Sequence, residues 1–210
     1  MWINSEYLYW KIQDSPKIVP LVVQGPVVPD GTPVLGLPNY ETVLGGKKLN
    51  NNWRSGAKFS LGSWLDNECC LGVEASYFFL SRDSHTKSVS SNGLLGSAFL
   101  TIPFFDVTTD LESSAAVAIP TNFAGRADLK VSNYMRGVEL NLFTTISTSC
   151  DRRIGLLGGL RFWKFVESLT LDTDSPYVPP NPTDLFLTHD RFQVKNNFFG
   201  GQLGANIDYF

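Results

Sequence analysis

A chain of 210 residues is long enough for one domain with a real core. Its 17 Lys and Arg against 20 Asp and Glu, a formal net charge of -3, leave no basic surplus of the kind that nucleic-acid binding requires. Charged residues are only 18% and aromatics 13%, a balance that favours strands and suits aromatic girdles, and the absence of any run of about 18 apolar residues excludes an ordinary membrane helix while leaving a membrane barrel open.

The first strand is predicted over Trp2 to Ile12, with aromatics on both sides. No basic region followed by an apolar stretch precedes it, so Met1 to Trp10 reads as a mature edge, or as a piece whose leader has been removed. From Asp14 to Pro38 six prolines fall in one window, a density that no helix or regular central strand tolerates, and the segment reads as a long loop or plug-like excursion. Glu41 to Leu49, with Gly45-Gly46, reads as a turn region.

Trp53 to Leu65 and Glu68 to Leu80 form the clearest hairpin, closed at Asp66-Asn67. In the second of these strands Leu71, Val73, Ala75, Tyr77 and Phe79 share one face, and Gly72, Glu74 and Ser76 share the other. Small and charged residues opposite an unbroken apolar stripe suit a polar barrel interior with an apolar exterior. Arg82 to Asn92 is polar and reads as a loop, Gly93 to Thr101 as a strand ending near Pro103, Asp106 to Ser114 as polar connection, and Ala115 to Ile119 is ambiguous.

Arg126 to Ile146 alternates over enough residues to cross a bilayer, and Ile154 to Leu171 returns after a turn at Cys150 to Arg153. A helix over 154–171 is disfavoured by Gly155, Gly158 and Gly159. Pro176, Pro179, Pro180 and Pro182 mark another irregular loop, and two final strands, Leu187 to Lys195 and Phe198 to Phe210, flank a turn at Asn196-Asn197. The fold class is therefore all-β, an antiparallel up-and-down β-barrel of about eight strands that spans a membrane. Residues 1–210 make a single domain with proline-rich excursions at about 14–40 and 173–184.

Chemistry-bearing residues are sparse. Cys69 and Cys70 are strand neighbours that point to opposite faces, so one of them is free to bridge to Cys150, or all three are buried or lipid-facing thiols. His85 near Asp83 and His189 beside Asp190 lack metal-site spacing and read as exposed. The glycines of 155–159 lack the Lys-Ser or GxGxxG context of a phosphate loop. Glu74, Arg126, Asp128, Lys130, Arg136, Glu139, Arg161 and Glu167 are charges inside strand text, on a solvated face in a soluble protein and on the lumen in a barrel. No catalytic, cofactor-binding or metal-binding residue is assigned, and the chain reads as a non-enzyme that needs no cofactor.

The segments SEYLYWKI, PLVVQGP, TVLGG, RSGAKFSLGSWLD and LGVEASYFFL, with the later GLRFWKFVESLTL and NNFFGGQLGANIDYF, resemble the BBP7 family of planctomycete-type outer membrane β-barrel proteins. The resemblance covers nearly the whole chain and implies an outer membrane barrel with no catalytic residue and no cofactor. Family members are longer and carry a secretion signal, so the resemblance implies a short member or a fragment. Gln202, Gly204, Ile207, Tyr209 and Phe210 resemble the terminal signal read by barrel-assembly machinery. If Phe210 is the natural end, a barrel of about eight strands is complete; if not, this is an internal strand. The expected role is structural or porin-like in the cell outer membrane, with membrane lipid and the assembly machinery as partners, no nucleic acid, and homo-oligomerisation as a further option. The alternative is a soluble β-barrel or β-sandwich that binds a small ligand or a protein, with Trp53, Phe59, Trp64 and Tyr77 in a dry core or pocket.

Overall fold

The computed structural model describes residues 1–13, 17–25, 40–48, 52–68, 70–148, 151–179 and 184–209. These form ten strands and no helix: β1 (Trp2–Lys11), β2 (Pro20–Gly25), β3 (Glu41–Gly45), β4 (Trp53–Trp64), β5 (Leu71–Ser91), β6 (Phe99–Asp106), β7 (Leu111–Ala118), β8 (Gly125–Thr148), β9 (Arg152–Pro176) and β10 (Leu185–Tyr209). All pairings are antiparallel. The larger sheet has the order β1-β4-β5-β8-β9-β10 and the smaller one β3-β2-β6-β7.

The all-β antiparallel class is thus present, with ten described strands in two sheets in place of about eight in one. Among the described residues the larger sheet is open, with β1 and β10 as its edges. Its order departs from a simple meander because β2 and β3 are inserted between β1 and β4, and β6 and β7 between β5 and β8.

The strands of the larger sheet are long for a physical reason. β9 and β10 run 25 residues each, more than twice the roughly 9–11 that a tilted strand needs to cross a bilayer. Their lower halves alternate apolar and polar, as expected. Their upper halves continue on backbone pairing beyond the alternating segment. Arg82 to Asn92, expected as a loop, therefore forms the upper part of β5 as far as Ser91, and residues from Asp83 to Ser91 pair with β8 after a register shift that follows Leu80. Asn196 and Asn197, expected as a turn, lie inside β10 opposite Phe165 and Lys164. The dipeptide lacks the glycine that most favours a tight hairpin turn, and the unbroken β9 holds it extended.

The expected proline-rich loops change in the same sense. Most of 14–40 falls outside the described residues, but Pro20–Gly25 is β2, an internal strand of the small sheet. Pro20 is its first residue and the rest of the strand has no proline, so the ladder loses no internal donor. Glu41–Gly45 is β3, and among the described residues the chain bends at Gly46 and Lys47, with Gly45 and Gly46 at positive φ. β6 starts later than predicted, at Phe99, and includes Pro103, which lies beyond the reach of β2 and pairs only with Ser114 of β7. Residues 173–176 belong to β9, and 180–183 lie outside the described residues.

The turns joining β4 to β5 and β8 to β9, and the outer ends of β1 and β10, all lie at one end of the larger sheet. The small sheet sits at the other end, against the inner face of the upper halves. Val22, Leu44, Leu100, Val117 and Ala118 pack there with Ala127, Leu129 and Leu171 in a dry core. Ser175 Oγ donates to the Val117 carbonyl at 2.7 Å, and Ser91 Oγ to the Ala98 carbonyl at 2.6 Å, which fix the two sheets at that contact.

A two-faced sheet as the candidate functional site

Strand alternation gives the lower half of the larger sheet two unlike faces. One face carries Ile3, Leu61, Ala75, Leu140 and Leu160 in a single row across five strands. Phe59, Tyr77, Val138, Phe162 and Phe199 form the next row. These side chains are exposed: Ile3 is 75% accessible, Leu160 68% and Phe199 81%. A groove of about 730 Å³ crosses this face between Ile3 and Phe199. From the level of Leu71 to that of Phe79 the apolar face covers roughly 27 Å along the strands, or about 20 Å in height at a tilt near 40°, close to the apolar band of a membrane barrel.

On the central strands the other face is largely buried and polar, built in layers, while Asn4, Glu6 and Phe198 of the edge strands stay exposed. At the turn end Trp2, Trp64 and Phe143 gather with ring centroids 5.4–5.9 Å apart, and the Arg153 guanidinium lies 5.4 Å from the Trp64 ring centre. Glycines make room for these rings: a Cβ at Gly62 would fall inside the Trp2 indole, and one at Gly72 would press on Phe143. Trp2 Nε1 donates to Glu74 Oε2 at 3.1 Å, and Gln202 donates to Asn141.

The next layer centres on Glu139, nearly buried at 5% side-chain exposure. Arg161 reaches Glu139 Oε1 at 2.7 Å, Lys58 reaches Oε2 at 3.4 Å, and Ser76 Oγ donates to Oε2 at 3.3 Å. Above it, Leu8, Phe78 and Leu80 pack with Met135 and Trp163, and Phe78 covers Gly137. Arg54, 2% exposed, pairs with Asp83 at 3.4 Å beneath the small sheet.

The candidate residues distribute accordingly. Glu74, Glu139 and Arg161 come together on the inner face, with Glu167 higher up beside Arg54. Arg126, Asp128, Lys130 and Arg136 share the opposite face. Lys58 and Arg54 complete the inner network and were missed as site residues. Their parity with Ser60 and Gly62 was the signal that could have found them. His85 pairs with Asp83 at 3.2 Å, and His189 pairs with Asp172 across the ladder, not with its neighbour Asp190. Cys70 is exposed and free, while Cys69 and Cys150 lie outside the described residues.

Chemically, the central inner carboxylates Glu74 and Glu139 are occupied by donors. Glu139 is held between two cations, and Glu74 by an indole. Among the described residues no group of His, Cys, Asp and Glu is placed to hold a metal, and no helix is long and apolar enough to cross a membrane. The exposed positions of Trp53, Phe59 and Tyr77 put them on the outer surface and not in a dry pocket, whereas Trp64 belongs to the inner aromatic layer.

A family model described as Putative beta barrel porin-7 (BBP7) matches residues 2–209. No curated protein and no solved structure matches the chain.

Proposed function

The chain belongs to the BBP7 family of beta barrel porins, and from that membership we propose that it is a porin-like protein of a bacterial outer membrane with a structural or solute-passing role and no catalysis. One observation carries this reading: the larger sheet exposes its apolar face and buries a carboxylate, Glu139, at the centre of its charged one. A water-soluble β-protein of this length gains most of its stability by doing the reverse. In a bilayer the arrangement is favourable on both sides, with lipid against Leu61, Leu140 and Leu160 and a hydrated or packed lumen around Glu139.

A closed barrel follows from the same reading. β1 and β10 run in opposite directions at the two edges, so each is competent to join antiparallel with the other edge strand of a second copy. Eight strands enclose an interior just filled by side chains, and six would be too narrow for Trp2, Phe143, Arg161 and Trp163 together. Strands beyond these six, from a second copy, complete the ring in this proposal. Assembly would draw on the outer membrane's own barrel-insertion machinery, since an open edge in lipid leaves backbone groups unsatisfied.

Refolding of the purified chain with and without detergent micelles tests the reading. β structure appearing only in micelles, with a band that shifts on boiling before denaturing electrophoresis, is the expected result. A β-rich monomer in plain buffer would overturn it.

A further inference from the structure

At the upper edge of the apolar band, level with Phe79, on the outer face and at the end that bears the small sheet, the side chains turn cationic. Arg136 of β8 and Lys164 of β9 are direct cross-strand partners. Like charges in that relation repel. One row higher, Lys195 lies beyond Val166 and Tyr134, and the guanidinium groups of Arg82 and Arg136 lie 5.2 and 5.9 Å from the Tyr134 ring centre. Lys130 and Arg191 lie two rows above that, in register across Thr170. Between these rows the outer face offers Ser84, Ser132, Ser168 and Gln193, and no carboxylate. Acids return only with Asp128 and Asp172, which are taken by Arg126 and His189.

The opposite rim of the apolar band is different. There the outer face continues through Leu156 and Ala205 to Ile154, Ile207 and Tyr209, and among the described residues of these strands Arg152 alone adds a cation. The positive charge is therefore concentrated on one rim and lacks internal counter-charge.

We propose that this belt of Arg82, Arg136, Lys164 and Lys195 binds the phosphate groups of anionic lipid headgroups in the leaflet at the small-sheet end, with the acyl chains lying on Tyr77, Val138 and Phe162 below. The proposal rests on the membrane reading above and adds which lipid chemistry one rim selects. A lipid is favoured over a free anion because the belt is continuous with the apolar face: a headgroup phosphate there brings the acyl chains that cover Val138 and Phe162, whereas a soluble anion would leave them bare. The Tyr134 ring draws both guanidinium groups to that level through cation–π attraction.

The test uses the full chain refolded into phosphatidylcholine vesicles, with and without a diphosphorylated lipid A. Folding is read from the heat-shifted band, and lipid carried through extraction into neutral detergent is quantified. The expected result is folding in both vesicles and selective retention of the phosphorylated lipid. Retention should fall with salt, fall about thirtyfold in Arg136→Gln with Lys164→Gln at about a factor of five for each charge, persist in Arg136→Lys with Lys164→Arg, and resist inorganic phosphate. A folded band without selective retention, or retention indifferent to the Gln pair, overturns the belt alone. Complete displacement by inorganic phosphate overturns its assignment to lipid. Absence of a folded band in either vesicle overturns the membrane reading and the belt with it.

Discussion

Glu139 of β8 and Arg161 of β9 face each other in register, and the guanidinium reaches the carboxylate at 2.7 Å on the inner face while Lys58 approaches the other carboxylate oxygen from two strands away. One carboxylate thereby holds two cations that would otherwise repel. Glu139→Gln should destabilise the folded state by about 3 kcal/mol, the lower end for breaking a buried pair because Arg161 keeps part of its surface in water. The midpoint of urea unfolding in micelles measures this, and a loss under about 0.5 kcal/mol would mean the pair is solvated like a surface bridge.

Leu140 lies at the centre of the outer apolar face. Leu140→Arg should cost about 2–4 kcal/mol in vesicles, as expected for a cation at the bilayer midplane, and Ser132→Arg, above the band, close to nothing. Equilibrium folding into phosphatidylcholine vesicles reads both. Equal effects would show that the exposed apolar face meets water.

Gly62 lies beneath the Trp2 indole with no room for a Cβ. Gly62→Ala should cost about 1–3 kcal/mol through overpacking and should move Trp2 off Glu74. The change in indole emission reports that movement. In a Trp2→Ala background the same substitution should lose most of its cost, and full additivity would contradict the packing account.

The Asp106 carboxylate accepts from the Thr108 hydroxyl at 2.6 Å and from its amide at 2.8 Å at the β6–β7 turn. These bonds hold its pKa below the usual carboxylate value. The sign follows: the depressed group contributes order to the turn above the unfolded carboxylate pKa near 3.9, and the contribution is lost as pH falls through the lower folded value. Hydrogen exchange at the Thr108 amide should therefore show protection that fades only under acid, and Asp106→Asn should remove that pH dependence.

The lower half of the larger sheet was legible because its alternation is strict: Leu71 to Phe79 against Gly72 to Ser76 dictates both faces without tertiary information. The upper half was not, because from Arg82 to Ser91 neither face carries an apolar stripe, and extension there is imposed by pairing to β8. The small sheet was hidden for another reason. Pro20 and Pro103 sit in strand text at positions where the ladder needs no donor from them, which only the pairing reveals. The Glu139 network was half legible, since the parity of Lys58 and Glu139 was readable while their approach across β5 depends on register. The basic belt mixes residues from β5, β8, β9 and β10, and no single strand announces it.

The insertion of β2 and β3 between β1 and β4 has a kinetic consequence. β8, β9 and β10 are joined in sequence by short connections, so their ladders close with little loss of chain entropy, whereas Lys11 meets Trp53 only after the whole intervening excursion has been brought round. The C-terminal hairpins are then the seed on which the sheet grows, and the amides of β1 gain protection last. A strand that arrives last is also the one whose edge stays open longest to an incoming neighbour.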